Sequence, residues 1–85
     1  MSIALTITAA QIRAARQLVR VSQADIAEAT GLSVPTIKRA ESERDVAISS
    51  ESISAIRKAL EKAGVIFVES NGEGPGVRLK KVKPE

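Results

Sequence analysis

The sequence predicts a mainly α domain of four short helices with a C-terminal β-hairpin or β-arm. Apolar residues recur at helical spacing in four successive segments, each begins near a Ser or Thr, and the period changes to two after Gly64. A chain of 85 residues forms one small domain with a thin core. We expect this single domain over 1–85, with an extended arm at 1–7, a helical body at 8–63 and a hairpin at 65–82.

The composition excludes several classes of function. The chain has no Cys and no His, so it lacks a disulfide, a zinc-thiolate site, the commonest metal ligand and the usual general base at neutral pH. We therefore expect no catalytic residue, no metal and no cofactor. No apolar run is long enough for a membrane span, and no Lys or Arg precedes the apolar first residues as in a secretory signal. A cytoplasmic protein without a membrane partner is expected.

The net charge of +3 is unevenly distributed. Residues 1–40 carry five basic and two acidic side chains, 41–76 carry four basic and seven acidic, and 77–85 carry four basic and one acidic. Basic ends around an acidic middle favour a surface that faces a polyanion, although the same charges also serve simply to solvate the surface.

Each predicted helix begins at a capping residue. Thr8, with Gln11 as its capping-box partner, starts a helix that runs to about Val19, and Ser22 starts a second over Gln23–Thr30. Gly31 then suits a left-handed helix end. Ser33 caps a third helix over 34–42, and Ser49 or Ser50 caps a fourth over 51–63. Inward-facing positions are Ile12, Ala15, Val19, Ile26, Ala27, Ile37, Ala40, Ile53, Ile56, Leu60 and Ala63.

Two β-strands are predicted after Gly64, over Val65–Glu69 and Val77–Val82, with a Gly-rich turn at 70–76. An isolated two-stranded ribbon is marginal in water. This hairpin must therefore pack on the fourth helix, take the Ile3–Ile7 arm as a third strand, or pair with another chain. The candidate residues for contact between two chains are Val65, Phe67, Val77 and Leu79.

Residues 22–42 carry the strongest functional signal. Two short capped helices around a Gly-containing turn follow the helix-turn-helix plan, with small Ala27 where the helices cross. Ile26, Leu32 and Ile37 fix the angle between them. A second helix that protrudes from the domain at a fixed angle fits the DNA major groove, which is about 12 Å wide.

The segment Ser22–Glu41, SQADIAEATGLSVPTIKRAE, resembles the helix-turn-helix of the phage Cro/C1 repressor family, also called the Xre family. The resemblance implies a lambda-repressor-like fold and a sequence-specific transcriptional regulator, such as a repressor, that binds double-stranded DNA as a homodimer. It further implies a structural ion pair between Arg16 and Glu41, which anchors the reading helix without touching DNA. Many relatives end in a fifth helix, where this chain has the predicted hairpin.

The resemblance also assigns DNA-binding positions. Gln23 matches a glutamine that contacts a phosphate, and the alternative is that it only completes its helix turn. Val34 and Pro35 stand where base-reading side chains are expected, but they cannot make bidentate hydrogen bonds, so readout would depend on Thr36 and the two cations that follow. The predicted DNA-binding residues are Gln23, Ser33, Val34, Pro35, Thr36, Lys38 and Arg39.

Two alternatives remain open at this stage. Lys38 and Arg39 would contact phosphates, or only water, if they do not read bases. The protein as a whole would be an antitoxin or an antagonist of another regulator if its main target is a protein bound through the hairpin. The poor base-reading chemistry of Val34 and Pro35 favours this second possibility to some extent.

Overall fold

The computed structural model describes residues 7–44 and 47–81. These form four α-helices and one antiparallel two-stranded sheet, which confirms the predicted mainly α fold with a C-terminal β-hairpin. The predicted arm lies outside the described residues except for Ile7, and so does the carboxyl end of the second predicted strand. The elements are α1 Ala9–Val19, α2 Gln23–Thr30, α3 Val34–Ala40, α4 Ser50–Lys62, β1 Val65–Val68 and β2 Gly76–Leu79.

The capping predictions hold at every helix. In each case a side-chain oxygen accepts a hydrogen bond from the backbone N–H three residues later, at 2.9–3.2 Å. Gln11 completes the predicted capping box, because its Oε1 accepts from the Thr8 N–H at 2.8 Å. The capping residues are Thr8, Ser22, Ser33 and Ser49.

Two helix ends differ from the sequence prediction. The third helix ends at Ala40 instead of Ser42, because the Ser42 N–H bonds to the Arg39 carbonyl in a tightened last turn. Ala63 is the exposed C-cap of α4 and does not continue its apolar stripe. Gly64 then redirects the chain into β1 with a φ of 115°.

One core joins the helical body and the hairpin. Its fully buried side chains come from α1, α3 and α4, and β1 adds Val65 and Phe67, which are 2% and 8% exposed. Of the arrangements left open by the sequence, packing of the hairpin on its own helical body is the one observed. The side chains of Val65 and Phe67 therefore lie inside their own chain, and their contact with a second chain stays a prediction. The fully buried side chains are Ile12, Ile37, Ile56 and Leu60.

Gln11 fastens the hairpin to α1. Its buried amide Nε2 donates to the Val68 carbonyl at 3.2 Å and to the Gly76 carbonyl at 2.9 Å, so one group holds both strands where they enter the turn. The Arg57 guanidinium of α4 also contacts the hairpin, 5.4 Å from the centre of the Phe67 ring. Within the described residues, no helix combines the length and apolarity that a membrane crossing requires.

We predict that Gln11→Leu lowers the free energy of unfolding by about 1–3 kcal/mol, because it removes the buried donor shared by the two strands. Chemical denaturation followed by circular dichroism measures the change. The control is Gln17→Leu on the exposed face of the same helix, which should change stability by less than about 0.5 kcal/mol. Equal losses in the two variants would contradict the proposed attachment.

The capping box of α2 predicts a dependence of stability on acid. The pKa of Asp25 lies below its ordinary value, chiefly because its carboxylate accepts the Ser22 backbone N–H, and also because of the Ser22 hydroxyl. A depressed carboxyl pKa stabilises the fold above the pKa of the unfolded chain, and this contribution is lost as the pH falls through the folded value.

We therefore expect Asp25→Asn to lower the urea midpoint at neutral pH and to converge with the parent protein in strong acid. Urea titrations at neutral and acidic pH measure this. Glu28→Gln, at an exposed position of the same helix, makes the same charge change outside the cap. A gap between Asp25→Asn and the parent that is independent of pH would refute the capping argument.

Candidate nucleic-acid interface

The second and third helices form one rigid unit around a tight turn. Gly31 ends α2 with a φ of 78°, a left-handed conformation that glycine adopts without strain. The Thr30 hydroxyl donates to the Ile26 carbonyl at 2.8 Å and accepts from the Leu32 N–H at 3.2 Å, which fixes the chain as it leaves α2. The side chains that hold the two helices in the core are Ile26, Ala27, Ile37 and Ala40.

The predicted cations lie on the solvent-facing side of α3, away from the buried Ile37 and Ala40. Lys38 and Arg39 are exposed, whereas Ile37 between α3 and the body is fully buried at 0% exposure. Because both cations lie in the last turn, they also complement the negative end of the helix dipole. The helix thus presents a positively charged face that protein does not cover in the described part of the chain.

Three polar side chains are linked along this face. The Ser33 and Thr36 hydroxyls are 2.9 Å apart, and Arg39 Nη2 donates to the Thr36 hydroxyl at 3.4 Å. These residues lie three positions apart and so occupy neighbouring positions on the helix surface. The contact with Thr36 holds the Arg39 guanidinium along α3, and the residue as a whole is exposed.

The structure separates the two apolar residues at the start of α3. Pro35 is exposed, as a residue that faces DNA would be, but Val34 is half-buried and packs against the core. Contact of Val34 with a thymine methyl would use only its outer part. Among the predicted site residues of α3 and its N-cap, the exposed ones are therefore Ser33, Pro35, Lys38 and Arg39.

The carboxylate of Glu41, immediately after α3, is the most connected polar group near the site. Its side chain is only 5% exposed. It accepts from Arg16 Nε at 2.5 Å and from Arg16 Nη2 at 3.1 Å, a bidentate pair. The hydrogen bond that Arg16 donates to the Glu41 carboxylate raises the pKa of Arg16 above its ordinary value. Arg16 also donates to the Val21 carbonyl at 3.1 Å, so this contact joins α1, the loop before α2 and the end of α3.

Gln23 belongs to the same cluster. Its Nε2 donates to Glu41 Oε1 at 3.1 Å, and its side chain is half-buried at the start of α2. The amide N–H groups are thus turned toward protein. This contact orients the Gln23 side chain, and the first backbone N–H groups of α2 have no acceptor within the helix.

Arg13 is a contributor that the sequence analysis missed. Its Nη1 donates to the Glu41 backbone carbonyl at 2.6 Å, and its Nη2 pairs with Glu43. Arg13 lies one turn before Arg16 on α1. Two arginines at this spacing lie on the same side of a helix, which was the signal in the sequence that both could reach one partner. Together they hold both the backbone and the side chain at the end of α3.

No cluster of potential metal-ligating side chains occurs in the described residues.

The four candidate residues for contact between two chains differ in how exposed they are. Val65 and Phe67 are buried, Val77 is half-buried, and Leu79 is 52% exposed at the end of β2. Only Leu79 offers most of its side chain to a partner.

We predict that Glu41→Gln lowers the free energy of unfolding by about 3 kcal/mol, because it leaves the partly buried Arg16 guanidinium without its counter-ion. Glu43→Gln is the matched control, because Glu43 is 72% exposed in its pair with Arg13. This substitution should lower stability by less than about 1 kcal/mol. Thermal and urea unfolding of both variants give the comparison. Similar costs for both would show that the buried pair does not anchor α3.

The comparisons with known proteins agree with this geometry. The Cro/C1-type helix-turn-helix family model matches residues 12–65, which includes α1 to α4 almost entirely. The search of curated proteins gives no significant match. The matched region covers more than half of the chain and contains both the α2–turn–α3 unit and the Arg16–Glu41 pair. The protein therefore belongs to the Cro/C1-type helix-turn-helix family of DNA-binding transcription regulators.

Proposed function

We propose that this DNA-binding regulator recognises a specific operator sequence as a homodimer, with the exposed face of α3, Val34–Ala40, in the major groove. The observation that carries the proposal is the solvent-exposed cationic face of α3, opposite the buried Ile37 and Ala40. A short helix fixed on one side and charged on the other is suited to approach base edges between two phosphate backbones.

Arg39 is the proposed base-reading residue. A guanidinium matches the O6 and N7 acceptors of guanine, and such a bidentate contact discriminates by about 1–3 kcal/mol. The contact with Thr36 supports this role, because it restricts the Arg39 side chain before DNA is bound. Lys38 has no such restriction in the described residues and serves better as a phosphate contact.

Gln23 and Ser33 are proposed to position the protein on the phosphate backbone. Both lie at or next to a helix start, where free backbone N–H groups attract an anion. The hydrogen bond from Gln23 to Glu41 connects this contact to the anchor of α3. Phosphate binding at α2 would thereby fix the depth at which α3 enters the groove.

A dimer would place two copies of α3 about 34 Å apart, one helical turn of DNA. One small module makes few contacts, and two joined modules bind a partly palindromic site much more tightly. We further propose that this binding occurs in the cytoplasm and weakens steeply with added salt, since lysine and arginine release counterions from DNA.

A protein target remains the second candidate. The exposed Pro35 and the half-buried Val34 contribute little to base readout, which favours an antitoxin or an antagonist of another regulator. Selection of bound fragments from random double-stranded DNA separates the two functions. An enriched, partly palindromic motif supports operator binding, and the absence of any enriched motif supports the protein target.

We predict that Arg39→Ala reduces affinity for the selected operator by about tenfold or more while changing affinity for a scrambled duplex much less. Lys62→Ala is the control, because it removes one positive charge at the exposed far end of α4. Fluorescence anisotropy at one fixed salt concentration measures all pairs. If Arg39→Ala lowers affinity equally for operator and scrambled DNA, Arg39 contacts phosphates and does not read bases.

A further inference from the structure

The turn between β1 and β2 contains Asn71, the one asparagine of the chain, and Gly72 follows it directly. Both residues are exposed. Asparagine is one of the thermally labile residues of proteins because its side-chain amide can be lost. A glycine after it leaves the next backbone nitrogen uncovered, since glycine has no Cβ. The pair thus places an electrophilic carbon, Cγ of Asn71, beside an accessible nitrogen.

The fold leaves both of these groups unengaged. The hydrogen bonds of the turn converge on the Glu73 carbonyl, which accepts from the Asn71 N–H at 3.1 Å and from the Ser70 hydroxyl at 3.0 Å. Across residues 7–44 and 47–81, no hydrogen bond holds the Asn71 side-chain amide or the Gly72 N–H. The space at Gly72 is also open, because a Cβ built there meets no atom within 4 Å. No contact has to be broken before the two groups meet.

We propose that Asn71 is a site of spontaneous covalent modification, in which Gly72 supplies the nucleophile and water is the second reactant. The Gly72 nitrogen attacks Cγ of Asn71 and gives up its proton. A C–N bond forms, the bond from Cγ to the side-chain nitrogen breaks, and this nitrogen takes up a proton and leaves as ammonia. The product is a cyclic imide that joins the two residues. Water then opens the ring, and no atom changes its oxidation state.

The ring opens to two different products. Cleavage between the Gly72 nitrogen and Cγ restores the ordinary backbone and leaves aspartate at position 71. Cleavage between the same nitrogen and the backbone carbonyl carbon leaves isoaspartate, whose backbone runs through Cγ and is one bond longer. Either product adds a carboxylate between the exposed Glu69 and Glu73 and lowers the net charge of +3 by one. The tip of the hairpin thereby becomes strongly acidic.

Gln11 limits the consequence of this change for the rest of the fold. Its Nε2 holds the Val68 carbonyl at 3.2 Å and the Gly76 carbonyl at 2.9 Å, one on each side of the turn. The longer backbone of isoaspartate therefore disturbs the contacts to the Glu73 carbonyl, whereas β1 and β2 stay paired. The inference is independent of the proposed function: the tip changes irreversibly as the molecule ages, and the helical body is kept.

Incubation of the full chain at mildly alkaline pH, followed by digestion with trypsin and mass spectrometry, tests the proposal. The peptide 63–78 contains Asn71 and no glutamine, so a change from amide to acid in it reports this site alone. We expect this peptide to convert with time into two acids that separate on chromatography, aspartate and isoaspartate. Gln17, an exposed amide in the peptide 17–20, is the internal control and should stay unchanged.

The same measurement in urea shows whether the folded turn leaves the pair free to react. A hydrogen bond on either group would slow the folded chain by about fivefold or more relative to the unfolded chain. We expect the two rates to differ by less than this factor. Gly72→Ala, compared with the parent in urea so that its effect on the folded turn does not matter, should slow the reaction by roughly tenfold, because the added Cβ covers the nitrogen.

The outcomes are distinct. Two acidic products at similar rates in the folded and unfolded chains support the site. A folded chain that reacts more slowly than the hydrogen-bond factor allows would mean that the turn protects Asn71, and would overturn the proposal. Aspartate without isoaspartate, or an unchanged rate for Gly72→Ala, would mean that water hydrolyses the amide directly and that Gly72 has no part in the reaction.

Discussion

The position of α3, the helix proposed to enter DNA, depends on the hydrogen bonds made to the buried carboxylate of Glu41. This carboxylate receives three hydrogen bonds from Arg16 and Gln23, and Arg13 holds the carbonyl of the same residue. A charge this deeply buried is tolerated only when its partners surround it. The end of α3 is therefore fixed to α1 and α2 at one point, and the angle at which α3 leaves the body follows from that point. The same cluster turns the Gln23 amide toward protein, so the anchor and the proposed phosphate contact share one residue.

Much of the helical body was predictable from sequence because its signals are local. The caps at Thr8, Ser22 and Ser33 each act over three residues, and Gly31 needs only its own backbone conformation. Helical spacing then identified buried residues such as Ile37. The end of α3 was placed two residues too late, since the tightened last turn has no marker in the residue types.

The features that sequence could not supply depend on distant parts of the chain. Burial of Val65 and Phe67 on their own helices was one of three arrangements that the same alternation allowed. Arg13 was counted only as a surface charge, because its acceptor is a backbone carbonyl 28 residues away. The half-burial of Val34 likewise follows from the angle between α2 and α3, which residue types alone do not specify.

The attachment of the hairpin through Gln11 has a consequence for the order of folding. Its acceptors, Val68 and Gly76, lie 57 and 65 residues further along the chain. Contacts of such long sequence separation form slowly, whereas the contacts between α2 and α3 close over a few residues. The unit formed by α2 and α3 should thus assemble early, and the hairpin should join it last.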